Sequence, residues 1–150
     1  MERLIERLAI ARRALSTLRE AIDRGLSDAI VRDAAIQRFE FTFEATWKAA
    51  QRFLLEAESL EVASPKGVIR ASFQAGLLDD DLTRRALAMA NDRNLTIHTY
   101  NEALAEQIGS HLPAHAQLIE TWLAAIDARL AELNASDLPV RDPAAPPPQS

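Results

Sequence analysis

The sequence contains no cysteine, which excludes disulfide bonds, thiolate metal ligands and cysteine nucleophiles. It also lacks any run of about 20 apolar residues that could cross a membrane, and residues 1–7 are charged and amphipathic, unlike a signal peptide. We therefore expect a cytoplasmic protein without a membrane partner. Lysine occurs only twice, and the net charge of −5 argues against broad, sequence-independent binding to nucleic acid.

What the chain does contain is helical periodicity. Apolar residues recur at steps of three and four, and no alternating run is long enough for a strand. Short connections favour antiparallel packing of consecutive helices. The sequence therefore predicts an all-α fold, an up-and-down antiparallel four-helix bundle with one additional short helix. Residues 1–134 would form this domain, and residues 135–150, which are rich in proline, would form a disordered tail.

Residues typical of helix ends predict where the first three helices begin and end. Gly25 ends the first helix, and Ser27-Asp28 begins a second that runs to about Glu58. Ser64-Pro65 begins a short third helix, which we expect to direct Phe73 inward. The predicted core stripe of the long second helix, which we place at the centre of the bundle, consists of Ile36, Phe39, Phe43, Trp47, Ala50 and Leu54.

The fourth and fifth helices are predicted from a long apolar stripe and a proline. Residues 79–81 are all aspartate, which we interpret as a helix start, because negative charge is favourable at the positive end of the helix dipole. A metal site at this acidic run is the less favoured alternative. The stripe of the fourth helix continues to Ile108, and Pro113 is predicted to begin the fifth helix.

A polar group on the fourth helix provides the candidate functional site. Arg93 falls on the predicted apolar stripe, where a charge is costly unless it is paired or functional. Tyr100, the only tyrosine, lies near the same face two turns later. Beside them runs a polar strip at steps of three, four and three: Asn91, Asn94, His98 and Asn101. Such a group exceeds what packing requires, so we predict a functional site there.

The other two histidines, His111 and His115, have no comparable polar company in the sequence. We interpret each of them as a solvated or hydrogen-bonded helix histidine. Neither a metal site nor a cofactor is predicted for this chain.

The segment Arg93-Asn94-x-x-x-His98-x-Tyr100 resembles the Arg-x(4–6)-His-x-Tyr motif of HepT toxins, within the broader class of HEPN domains. Other stretches are similar to the nucleotidyltransferase substrate-binding branch of that family, and the resemblance extends over roughly residues 1–133. These stretches are residues 32–40 continuing to Glu44 and Trp47-Lys48, residues 64–70, and residues 76–78.

The resemblance implies a homodimer encoded beside a minimal nucleotidyltransferase, with which it forms a complex of the toxin–antitoxin type. In the HepT branch, the motif arginine and histidine belong to a metal-independent ribonuclease, and the partner silences the toxin by attaching AMP to the tyrosine. Carried over, Arg93 and His98 would be catalytic, Tyr100 would be modified, and Asn94 would match the polar position after the arginine. Asn91 and Asn101 are candidates for support or substrate binding.

Two alternatives to the ribonuclease remain open. The first is a non-catalytic subunit that binds substrate for the nucleotidyltransferase, which net acidity and scarce lysine favour. The second is a bundle used only for assembly, which leaves the polar strip without a purpose. The completeness of the motif favours the ribonuclease, with RNA as its substrate.

The proposed chemistry is reasonable, but one continuous helix would not support it. Histidine titrates near neutral pH and can take the proton of a 2′-hydroxyl, while arginine can neutralise the charge gathering on the phosphate. On an ideal helix, however, Arg93 and His98 point about 140° apart. Either the helix is distorted near Leu95-Thr96, or a two-fold axis joins the fourth helices of two subunits in one cleft. We prefer the dimer.

Overall fold

The computed structural model of the protein describes residues 1–136, and residues 137–150 of the predicted tail lie outside the described residues. The described part contains α-helices and a 3₁₀ turn and no strand, so the predicted all-α class is confirmed. The elements are α1 (Glu2–Asp23), α2 (Ala29–Glu58), α3 (Pro65–Gln74), α4 (Asp80–Leu95), the 3₁₀ turn (Thr96–His98) and α5 (Glu102–Ser136). No helix within residues 1–136 combines the length and apolar character needed to span a membrane.

Helix α2 lies at the centre of the bundle, where it contacts all four other helices. It begins after Asp28, whose side chain accepts hydrogen bonds from the backbone N–H groups of Ile30 and Val31 at 2.8 and 3.3 Å. Such a cap satisfies backbone donors that the first helical turn leaves without partners. All six residues of its predicted core stripe are buried, so this part of the sequence analysis is confirmed.

Helices α3 and α4 begin as the sequence predicts. The Ser64 hydroxyl accepts from the Gly67 N–H at 3.1 Å, and the Asp79 carboxylate accepts from the Leu82 N–H at 2.7 Å. The prediction that Phe73 points inward is wrong, because its side chain is 46 % exposed. The buried residues of α3 are centred near Ser72, and Phe73 lies about 100° from Ser72, just beyond Ile69 at the edge of the buried face, where its side chain meets solvent.

The predicted boundary between the fourth and fifth helices is also wrong. Helix α4 ends at Leu95, and α5 begins at Glu102, so Pro113 lies inside α5 rather than at its start. An interior proline costs about 3 kcal/mol, which is why the sequence favoured a helix start. Helix α5 nevertheless continues through it, because its buried side chains Leu112 and Ile119 lie on both sides of the proline and hold the two halves against the core.

Candidate functional site

The site predicted from the sequence lies on the connection between α4 and α5. Arg93 is half-buried in the last turn of α4, where its Nη1 donates to the Thr96 hydroxyl at 3.4 Å. The Thr96 hydroxyl itself donates to the Arg93 carbonyl oxygen at 2.7 Å. The 3₁₀ turn begins at Thr96, directly after the end of α4.

His98 and Tyr100 lie together on the exposed side of this connection. Their ring centroids are 6.1 Å apart in an edge-to-face arrangement. The Tyr100 side chain is 87 % exposed, and Ile97, which the sequence places on an apolar stripe, is 71 % exposed. The structure therefore brings the imidazole and the phenol together and presents both to solvent.

Of the two geometric alternatives, the structure shows the interrupted helix. Because α4 ends at Leu95, the directions of Arg93 and His98 are no longer fixed by 100° steps along one helix. The predicted polar strip consequently does not form one helix face. Asn91 and Asn94 are exposed on α4, whereas Asn101 immediately precedes α5 and caps it, its side-chain oxygen accepting from the Leu104 N–H at 3.2 Å.

Sequence analysis missed the residue that anchors this connection. Arg32 of α2 is only 6 % exposed, and its Nη2 donates to the Glu102 carboxylate at 2.5 Å, at the first residue of α5. Its side chain passes so close to Gly109 that a Cβ there would lie 2.8 Å from the Arg32 Cδ. The available signal was the one used for Arg93, since Arg32 lies four residues before Ile36 on an apolar stripe.

An acidic cleft lies beside Tyr100. Its volume is about 440 Å³, and α2 contributes residues from one face over two turns. The lining residues are Asp33, Ile36, Gln37, Glu40, Thr99 and Tyr100. Two carboxylates and an amide therefore surround one side of the exposed phenol.

A second polar cluster, formed by Asp92, His111 and His115, lies between α4 and α5. One carboxylate oxygen, Asp92 Oδ2, contacts His111 Nδ1 at 2.8 Å and His115 Nε2 at 2.7 Å. His115 is 8 % exposed and stacks on Phe39 with ring centroids 5.2 Å apart. Its burial lowers the pKa of His115 more than the neighbouring carboxylate raises it.

His111 and His115 are hydrogen-bonded helix histidines, as interpreted from the sequence, but the sequence did not identify the polar contact that they share. Asp92 provides it from a different helix, which the linear sequence does not reveal. The available signal was the spacing of the two histidines, because residues four apart lie on the same face of a helix.

The chain matches one protein family over most of its length. The sequence profile described as "nucleotidyltransferase substrate binding protein like" matches residues 6–128. The chain belongs to this family, as its resemblance in the sequence predicts. No curated protein sequence matches the chain significantly.

Several solved structures share the fold of this chain. A protein from Thermus thermophilus is 54 % identical, with a TM-score of 0.74, over 78 % of this chain and 98 % of that one. A Haemophilus influenzae protein, described as having the fold of a substrate-binding domain of a nucleotidyltransferase, is 20 % identical, with a TM-score of 0.68, over 80 % of this chain and 98 % of that one. A tri-AMPylated Shewanella oneidensis HEPN toxin in complex with MNT antitoxin is 19 % identical, with a TM-score of 0.70, over 83 % and 96 % of the two chains. The last two likenesses concern the fold.

Proposed function

We propose that this protein is the partner subunit of a separately encoded minimal nucleotidyltransferase, and that it is a metal-independent ribonuclease silenced by AMP attached to Tyr100. The observation that carries the proposal is the joint exposure of His98 and Tyr100, whose rings lie 6.1 Å apart on the α4–α5 connection. A group attached to this phenol would stand directly beside the imidazole.

The modification needs an accessible nucleophile. The Tyr100 oxygen would attack the α-phosphorus of ATP bound to the partner, forming a P–O bond as the bond to pyrophosphate breaks and the phenolic proton leaves. With 87 % of its side chain exposed, Tyr100 can enter the active site of another protein without any rearrangement of the bundle. The tri-AMPylated HEPN toxin found among the structural neighbours supports this chemistry for the fold.

The ribonuclease needs a base and a fixed positive charge. His98 would take the proton of the 2′-hydroxyl, and Arg93 would stabilise the charge on the phosphate. Arg93 makes a hydrogen bond to Thr96 through Nη1, and its Nε is buried without a hydrogen-bond partner in the described part of the chain. We propose that two subunits form a homodimer in which both motifs line one groove for RNA.

The acidic cleft favours a second candidate function, that of a non-catalytic substrate-binding subunit. Asp33 and Glu40 line the cleft beside Tyr100, and carboxylates repel an RNA phosphate. The same groups would bind a cationic or hydroxyl-rich small substrate and hold it for the nucleotidyltransferase. In this case Tyr100 would line the substrate site rather than receive AMP.

Expression of the chain alone in bacteria separates the two functions. If the chain is a ribonuclease, we expect growth arrest that is relieved by His98→Ala and unaffected by His111→Ala, the same substitution at a partly exposed histidine outside the motif. Harmless expression of an intact, folded protein would contradict the ribonuclease and support the substrate-binding subunit.

Mass spectrometry tests the modification itself. After incubation with the neighbouring nucleotidyltransferase and ATP, we expect AMP adducts on the wild-type chain and none on Tyr100→Phe. Adducts that persist in Tyr100→Phe would place the modification elsewhere, and their complete absence from the wild type would contradict the silencing mechanism. Co-purification of the two proteins tests the partnership independently of either activity.

A further inference from the structure

The proposed ribonuclease leaves the cluster of Asp92, His111 and His115 without a role. It is the one group of three potential metal ligands within residues 1–136 whose donor atoms all lie within 4.8 Å of one another. Two helices supply it: Asp92 comes from α4, while His111 and His115 come from successive turns of α5. We propose that these three residues form a binding site for one divalent transition-metal ion, and that their chemistry suits Zn²⁺.

The donor set supports this assignment. Two imidazole nitrogens and one carboxylate oxygen are ligands typical of Zn²⁺ sites, in which an exogenous water takes the fourth position. Carboxylate and water oxygens alone would suit Mg²⁺ or Ca²⁺, whereas imidazole selects for transition metals. The absence of cysteine means that nitrogen and oxygen are the only strong donors that the side chains of this protein offer.

Two of the three donor–donor distances require only a small adjustment, and the third is within 4.8 Å. Asp92 Oδ2 lies 2.8 Å from His111 Nδ1 and 2.7 Å from His115 Nε2. Bonds of about 2.0–2.1 Å to a tetrahedral ion hold neighbouring donor atoms about 3.3 Å apart. The ion would therefore take the place of the two protons that form these hydrogen bonds. The carboxylate would move away from each imidazole ring by roughly half an ångström.

The surroundings fix one ligand and leave another accessible. His115 is held by its stacking on Phe39, and its position does not depend on an ion. His111 has 43 % of its side chain exposed and borders an open cleft of about 310 Å³, through which an ion and its water can enter. Arg85 also lines this cleft, but its guanidinium pairs with Asp81 at 2.9 Å, which offsets its repulsion of a cation.

The site can be tested by treating the tag-free, full-length protein with a chelator and then titrating it with Zn²⁺. We expect one ion per chain, measured by competition with a chromophoric chelator, and a rise in the melting temperature on addition of Zn²⁺. His111→Ala and Asp92→Asn should each weaken Zn²⁺ binding by at least about tenfold. Even a change in a residue that only hydrogen-bonds to a metal ligand commonly lowers the affinity by that factor. His98→Ala, which removes the third histidine of the chain, should leave the affinity unchanged.

His111 is the preferred test position because it is half exposed, so its alanine variant should fold. Co²⁺ provides an independent measurement, since four-coordinate binding to histidine gives visible absorption that His111→Ala would abolish. No binding of Zn²⁺ by the wild type, or equal binding by wild type and His111→Ala, would overturn the proposal and leave a hydrogen-bonded clamp between α4 and α5. Because the readouts are affinity and spectrum, the result does not depend on ribonuclease activity.

Discussion

Two neighbouring regions at the end of α4 differ in how firmly the fold holds their side chains. In the motif region, His98 and Tyr100 are exposed; His98 is the last residue of the short 3₁₀ turn, and Tyr100 follows it by two residues. In the cluster between α4 and α5, Asp92 joins two histidines, one of which is buried against Phe39. Consecutive residues, Asp92 and Arg93, therefore serve different sites on different sides of one helix.

Accessibility and preorganisation are therefore divided between these two regions. An exposed phenol suits a reaction in another protein's active site, whereas a buried imidazole with a fixed partner suits binding of a small ligand. Removal of side chains should accordingly affect activity in the first region and stability in the second.

The largest expected effect contrasts His98→Ala with His115→Ala. We predict that His98→Ala lowers ribonuclease activity by at least about 100-fold, because a general base contributes that much, and leaves the free energy of unfolding nearly unchanged. His115→Ala should lower the free energy of unfolding by about 2–4 kcal/mol through lost packing on Phe39. Denaturation and RNA cleavage assays on both variants measure the two effects, and similar profiles for the two variants would contradict the contrast.

A smaller loss of stability is expected at the anchor of the motif region. Glu102→Ala leaves the buried Arg32 guanidinium without its carboxylate partner, which should cost about 1–2 kcal/mol because Glu102 itself is largely exposed. Glu106→Ala, one turn later on α5 and also exposed, is the matched control and should change the free energy of unfolding by less than about 0.5 kcal/mol. Equal losses in urea denaturation would argue against the anchor.

The 3₁₀ turn can be tested at a single hydroxyl. Thr96→Val keeps the side-chain shape but removes the buried hydroxyl that bonds to the Arg93 carbonyl, at an expected cost of about 1 kcal/mol. Thr17→Val removes an exposed hydroxyl that makes the same type of bond to Ala14, and we expect a smaller loss there. Thermal unfolding of both variants provides the measurement, and an unchanged melting temperature for Thr96→Val would show that the hydroxyl does not stabilise the turn.

The smallest effect on stability is expected for Tyr100→Phe. Because the Tyr100 side chain is 87 % exposed, loss of its hydroxyl should change the free energy of unfolding by less than about 0.5 kcal/mol. The variant should nevertheless remain toxic in the presence of the partner and ATP, since it cannot be silenced. A marked destabilisation, or normal silencing by the partner, would contradict the role assigned to this phenol.

Several features of the fold follow from local sequence. Asp28, Ser64 and Asp79 cap helices where the sequence places them, because each can bond to backbone donors only a few residues away. The core stripe of α2 is likewise readable, since a period of 3.6 residues places those side chains on one face. The motif residues could also be identified from the sequence, because all of them lie within eight consecutive positions.

The prediction from periodicity was wrong where the chain leaves the helix while its apolar residues keep the helical spacing. Residues 82–108 keep the spacing of one helix, although the 3₁₀ turn at Thr96 and the cap at Asn101 divide them. Pro113 was a misleading signal, because the penalty for an interior proline can be offset by packing that only the folded bundle provides.

Local sequence is enough to define the helical class, most helix ends and the motif Arg93-x4-His98-x-Tyr100, since these depend on residues close together in the chain. The contacts of Arg32 with Glu102 and of Asp92 with His111 and His115 depend instead on the folded bundle. Such contacts join residues from 19 to 70 positions apart, and their partners are selected by how the helices pack, which no local pattern encodes.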